Sequence, residues 1–360
     1  MINKDMTSKE RVLAAMNHQE TDRIPVSFAA NKFVRREVME SFNAGTHREL
    51  LDQLHSDIVD LRDCVAPEYV GPGDLVKELE GNVHENYWGW RTRVVETPRG
   101  PEEQYAEFQL QQAETLESLE KHPWPDPDWF DFSGFAEKLA PYSDLCVMAS
   151  GGSVFQHPTF LRGMDNFLMD LILNPEMAEF LMDKFTGFYL AYFQKMFECA
   201  PGQIDVFRVA DDVAMQTGLL ISEEMFDQYV APRLKKLIDL AHNHGIKFMF
   251  HSCGDVSLLI PRFIDLGIDI LDPVQVAASN MDLFEIHQKY GDKICLHGGI
   301  DTQKFLPNAT PARVRQKIRE VTGYFRDKTG YILSTSHVIE GDISTDKIRA
   351  FFDECYQFQM

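Results

Sequence analysis

The sequence predicts an α/β fold, a (β/α)8 TIM barrel, from three observations. Eight short apolar segments recur along the 360 residues. They read as near-continuous hydrophobic runs rather than alternating ones, and helix signals fill the gaps between them. Such runs mark strands buried on both faces, as in a parallel sheet covered by helices. Eight strand–helix alternations favour a barrel, with a doubly wound sheet as the competing arrangement.

In chain order the segments are RIPVSF (23–28), DIVDLR (57–62), LCVMAS (145–150), IDVFRVA (204–210), IKFMFHS (246–252), IDILDPV (268–274), KICLHG (293–298) and YILSTS (331–336). The opening stretch through Glu20 reads as a short amphipathic helix, too charged for a signal peptide. Asn174-Pro175 and Thr310-Pro311 each place a capping residue before proline at a first helical position. Ser222-Glu223-Glu224 opens another helix with acidic residues at its positive end. LIDLAHNHG (237–245) and LIPRFIDLG (259–267) each stop at glycine just before a strand.

The interval 64–144 breaks this rhythm, being far longer than a loop plus helix. Within it WGWRTRVVE and EQYAEFQL flank the turn former Thr97-Pro98-Arg99-Gly100-Pro101 and predict an added hairpin. The Pro-rich HPWPDPDWF (122–130) follows as a rigid connection. We expect one domain, 1–360, with this insertion covering one barrel end.

Net charge is −21, from 56 acidic against 35 basic residues, with no basic cluster. Such a field repels phosphate backbones and anionic membranes, so nucleic acid and membrane are poor partners. No run of about 18 apolar residues is present to span a bilayer. The expected compartment is the cytoplasm, where the six scattered cysteines, without a CxxC pair, remain thiols.

In a barrel, chemistry gathers where strands end. The second segment carries Asp60, Arg62 and Asp63, and the fourth is followed by Asp211 and Asp212. The fifth ends in His251 and Cys253, and the sixth runs into Asp272 and Gln275. The seventh ends at His297 and Asp301, and the eighth at His337. Residues two apart on a strand share a side, so His251 and Cys253 face the same way. An imidazole and a thiolate suit tetrahedral zinc. A third ligand must come from elsewhere: His337 is preferred, with Asp212 and His297 as rivals. An isolated His-x-Cys is more often plain strand than metal clamp. Cys146, Cys199, Cys295 and Cys355 read as core or inert surface, and helix capping is the competing role for Asp211 and Asp212. Gln216 either enters the site or lines the next turn. Trp88 and Trp90 read as lid residues or as plain hairpin packing.

SKERVLAAMNHQETDRIPVSF, DDVAMQTGLLISEEMFDQYVAPRLKKLID (211–239), FHSCGDVSLLIPRFIDLGIDILDPVQ (250–275) and LHGGIDTQ (296–303) resemble the uroporphyrinogen decarboxylase superfamily over essentially the whole chain. That resemblance implies a (β/α)8 barrel and either of two activities. The Arg-Gln-Ala-Gly-Arg motif of true porphyrinogen decarboxylases is replaced here by FAANKFVRREVM, which argues against a polycarboxylate tetrapyrrole. The other branch, the cobalamin-dependent methyltransferases, including the methylcobamide:coenzyme M enzymes, holds zinc with a His-x-Cys pair and a later Cys. His251 and Cys253 match the pair, and His337 stands near the later position.

The expectation is therefore a Zn2+ site of His251, Cys253 and His337, with Asp212, His297 and Asp301 catalytic. Asp63, Asp211, Gln216 and Gln275 would bind substrate. The methyl group would pass between a small methylated donor (methoxy or methylamine type) or thiol and a corrinoid (cobalamin) carried by a partner protein. A set with one thiolate makes zinc a stronger Lewis acid. The alternatives are a metal-free decarboxylase-like lyase using Asp57 or Asp63 with nearby arginines, and a non-enzymatic corrinoid-binding protein.

Overall fold

The computed structural model describes residues 6–357. Seven parallel strands form its central sheet, in the spatial order Ile58–Asp60, Cys146–Ser150, Val206–Ala210, Lys247–His251, Ile270–Val274, Cys295–Ile300 and Tyr331–Thr335. Order in space equals order in sequence, as successive right-handed β-α-β crossovers produce. This is the parallel α/β fold, and seven of the eight predicted segments are its strands.

The first segment, RIPVSF, is not a regular strand. It makes one parallel bridge, Val26 to Leu333, and Asp57 N donates to Val26 O at 2.7 Å. Ser27 N and Leu333 N complete the link to the last strand, bonding Leu333 O at 3.0 Å and Pro25 O at 2.9 Å. Pro25 has no N–H to give, which limits the ladder here. The segment therefore lies between the sheet's two edges.

Strand alternation divides the interior into two cores. Ile58, Cys146, Met148, Val206, Met249, Ile270, Cys295 and Ile332 pack together on one face, joined by Val12, Ala15 and Met16 of the Ser8–Met16 helix. Their neighbours, such as Val59, Val147, Phe207, Phe248, Leu271, Leu296 and Leu333, point outward into the larger core beneath the helices. Cys146 and Cys295 are thus inert packing, as expected. The inner cluster is apolar only at the start of the strands. Two residues further along, the same face carries Asp60, Arg208, His251, Asp272 and His297.

The predicted hairpin is present and larger than expected. Val76–Leu79, Val83–Asn86, Arg91–Thr97 and Gly100–Glu107 make a four-stranded antiparallel sheet. Trp88, 1% exposed, fixes it to the long Pro175–Cys199 helix, with ring centroids 4.3 Å from Phe185 and 4.6 Å from Phe188. Of the two readings for this tryptophan, packing is the observed one. Lys32 Nζ meets Glu103 Oε1 at 2.5 Å, and a Cβ on Gly341 would fall 2.5 Å from Arg99 O. The insertion therefore touches the start of the Lys32–Ser41 helix, which follows the Val26 segment, and the loop after the last strand. No helix among the described residues is long and apolar enough to cross a membrane.

Candidate metal centre

His251 is the last residue of its strand, and the chain then turns through Gly254, at φ 96°. A side chain on Gly254 would fall 2.6 Å from Met215 O, so only glycine fits there. Gln275 Oε1 accepts from Gly254 N and Asp212 Oδ1 accepts from Cys253 N at 2.8 Å. These bonds hold Cys253 beside His251, with Sγ 3.5 Å from Nε2. Asp212 Oδ1 lies 4.0 Å from the same nitrogen. All three donors lie within 4.8 Å of one another, the one group of this kind among the described residues.

That spacing can be judged against zinc. Bonds of about 2.0 and 2.3 Å at a tetrahedral angle put nitrogen and sulfur about 3.5 Å apart. The Nε2–Sγ distance already meets this, so His251 and Cys253 fit the ion as they stand, while the Asp212 oxygen, 4.0 Å from Nε2, must move closer to join them.

A second layer orients the histidine. Asp272 Oδ2 lies 2.8 Å from His251 Nδ1 and accepts from Arg208 Nε at 2.7 Å, while Oδ1 lies 2.7 Å from His297 Nδ1. Burial pushes the Asp272 carboxyl up, but Arg208 and the two imidazoles outweigh it and hold Asp272 well below the usual range. An ionised Asp272 accepts from Nδ1–H, leaving the Nε2 lone pair toward Cys253 and Asp212. Arg208 Nη2 also lies 2.6 Å from Nδ1. One nitrogen cannot accept from Arg208 and donate to Asp272 together. A cation on Nε2 selects donation. The Cys253 thiol is pushed up by burial and by Asp212 and Asp272, so it is protonated until a cation takes the sulfur.

Arg208 is not among the expected site residues, and Asp272 is expected at its strand end without a role. The signal was available: Arg208 is the only charge in the Val206–Ala210 strand, and inward parity places it one step above Val206.

The remaining expected residues distribute unevenly. His337 lies on the same cavity wall, its ring centroid 6.5 Å from that of His251. Its Nδ1 is 3.3 Å from Val338 O, and it stands outside the three-donor group, where Asp212 takes the place expected of it. Asp63 lines the cavity and pairs with Arg35. Asp211 is fully buried and holds a helix start rather than a substrate. Its oxygens accept from Ser153 Oγ and from Val154, Phe155 and Gln156 N at 2.7–2.8 Å. Asp301 accepts from Gln303 N at 2.7 Å and Phe305 N at 2.9 Å, a turn-capping role. Gln216 is exposed, and Gln275 supports the Cys253 loop through Gly254.

Asp57, considered for a metal-free lyase, precedes its strand and so lies at the opposite end of the sheet. It is fully buried against Arg11 at 2.6 Å and Arg23 at 2.7 Å. A larger cavity of about 710 Å³ also opens at that end, lined by Arg23, Lys289 and Lys328. The grouped His, Cys and Asp donors lie at the other end.

A parallel α/β sheet with a metal-ready donor group at its C-terminal rim defines the class. The model of the uroporphyrinogen decarboxylase family matches residues 134–358, and the chain belongs to that family. Among curated relatives, the methylated-thiol--coenzyme M methyltransferase of Methanosarcina mazei is 26% identical over 195 residues, 54% of this chain and 48% of that protein. A uroporphyrinogen decarboxylase of Actinobacillus succinogenes is 28% identical over 232 residues, 63% of this chain and 58% of that one. The chain thus spans about half to three fifths of these relatives' length, 48% of the first and 58% of the second. Among solved structures, a methyltransferase from Methanosarcina mazei superposes with a TM-score of 0.65 at 17% identity, covering 99% of this chain and 100% of that one. That likeness supports the fold.

Proposed function

We propose that the protein is a zinc-dependent methyltransferase, exchanging a methyl group between a small methylated substrate or thiol and a corrinoid protein. The observation that carries the reading is the Asp212, His251 and Cys253 group, backed by Asp272. The Methanosarcina mazei methyltransferase among its relatives supports the same branch of the family.

In this reading His251 Nε2, Cys253 Sγ and an Asp212 oxygen hold the ion. A turn of His337 away from Val338 would add a fourth ligand or leave that place to substrate. Bound zinc supplies Lewis acidity at the heteroatom that carries the methyl group. The chain's own residues do the rest: Asp272 orients His251, and Gln275 and Asp212 hold the Cys253 loop. Asp63 and Arg62 shape the cavity mouth. We further propose one domain, a barrel closed by the Pro25–Phe28 segment, with the 64–144 insertion covering its functional end. Its compartment would be the cytoplasm, where the six free cysteines stay reduced.

The test is transfer of methyl groups between a donor panel and cobalamin by zinc-reconstituted protein. Transfer that stops on chelation and returns with zinc supports the proposal. A decarboxylation that survives complete chelation favours the lyase reading instead, and tight corrinoid-protein binding without turnover favours a binding protein.

A further inference from the structure

His297 is the second imidazole held by Asp272, and its free edge has no protein partner. The residue is 7% exposed and lies on the wall of the cavity that also contains His251. Its Nδ1 is fixed 2.7 Å from Asp272 Oδ1, while Nε2 is buried without a hydrogen-bond partner. Among the described residues it is the unpartnered buried side-chain atom on that wall. The polar neighbours are already satisfied: Ser334 Oγ donates to Ser27 O at 3.0 Å and Thr335 Oγ1 to His337 O at 2.6 Å. A buried polar atom without a partner is costly, and one on a residue of the cavity wall beside a metal-ready group is placed for a ligand.

We propose that His297 Nε2 is the general acid of the transfer, and that the donor carries its methyl group on oxygen or nitrogen rather than sulfur. This rests on the methyltransferase reading. In the step, the bond between the donor heteroatom and the methyl carbon breaks, and its electron pair stays on the heteroatom. The methyl carbon bonds to the cobalt nucleophile of the corrinoid partner, and the Nε2 proton passes to the heteroatom. The products are an alcohol, phenol or amine and a neutral imidazole. Asp272 Oδ1, 2.7 Å from Nδ1, fixes the ring, the arrangement by which a carboxylate supports a histidine acid. A thiol ionises at about 8.5 and leaves as thiolate without help, whereas a phenol ionises at about 10 and a neutral amine would leave as a far more basic amide anion, so both of these need the proton. An acid placed here is of use for the second kind.

The experiment compares wild type with His297→Gln, both zinc-loaded, using reduced cobalamin as acceptor. The donors are methoxybenzene, trimethylamine and dimethyl sulfide. Zinc content and the thermal melt report whether the variant has kept its fold. The expected result is a loss of about 100-fold or more with the oxygen and nitrogen donors, and a change within about threefold with the sulfide. In 15N spectra of the wild type, the His297 Nε2 resonance should also shift when phenol is titrated. Equal losses on all donors, no loss on any, or no shift with phenol overturns this inference alone. No transfer by the wild type from any donor overturns the proposed function itself.

Discussion

Asp272 holds His251 by its Nδ1 at 2.8 Å, and in doing so aims Nε2 at the Cys253 sulfur 3.5 Å away. The metal-ready geometry therefore depends on a residue that would not itself touch the ion. Replacing Asp272 with Asn removes the charge that selects the His251 tautomer. It also leaves Arg208 buried with its ion partner gone. D272N should bind zinc about 10- to 100-fold more weakly, as seen when supporting carboxylates are lost. Competition with a chromogenic chelator measures this, and unchanged affinity would contradict the arrangement.

Asp211 and Asp212 are adjacent, yet the structure gives them opposite tasks. Asp211→Ala leaves Ser153 Oγ and three backbone N–H groups without their acceptor. Each unmet buried donor costs about 1–3 kcal/mol, so D211A should lose at least about 3 kcal/mol of stability. Asp212→Ala should weaken zinc binding with a smaller stability loss. Urea unfolding of the two variants checks the contrast, and equal stability losses would refute it.

Burial lowers the His157 imidazole to about 3, with its Nδ1 held 2.6 Å from Tyr189 OH. The unfolded chain protonates this histidine near its ordinary value of 6.5, while the folded chain keeps it neutral. Between those values the unfolded state binds more protons. His157 thus contributes stability that is present above pH 6.5 and lost as pH falls toward 3. His157→Phe should flatten the decline in urea stability between pH 7 and 5, although it is less stable at pH 7. A slope unchanged by the substitution would contradict this assignment.

Trp88 ties the insertion to the Pro175–Cys199 helix. Trp88→Ala should cost about 3–5 kcal/mol, the range for removing a large buried aromatic. If the insertion covers the functional end, proteolysis within 70–107 should then precede cleavage of the central sheet. Simultaneous cleavage of both regions would argue against a separable cover.

The strands and the helix stops were legible because continuous apolar runs and Gly or Pro punctuation have local causes. The His251–Cys253 pair was legible because parity alone puts both on one side. The Val26 segment was read as a full strand because its hydrophobicity matches the others, whereas Pro25 limits its pairing. The choice between Asp211 and Asp212 was not legible, since both follow the same strand and only the packing of Ser153–Gln156 decides between them. His337 was expected as a ligand from its place at a strand end. Its loop orientation, toward Val338 O, is set by contacts that spacing does not encode.

Asp212, His251 and Cys253 are proposed to form a zinc site. The most direct test is the zinc content of purified protein after reconstitution and removal of loosely held metal, for wild type and Cys253→Ala. One zinc per chain is expected in the wild type, and its loss in C253A. Less than one zinc in the wild type, or the same content in C253A, would contradict the proposed site.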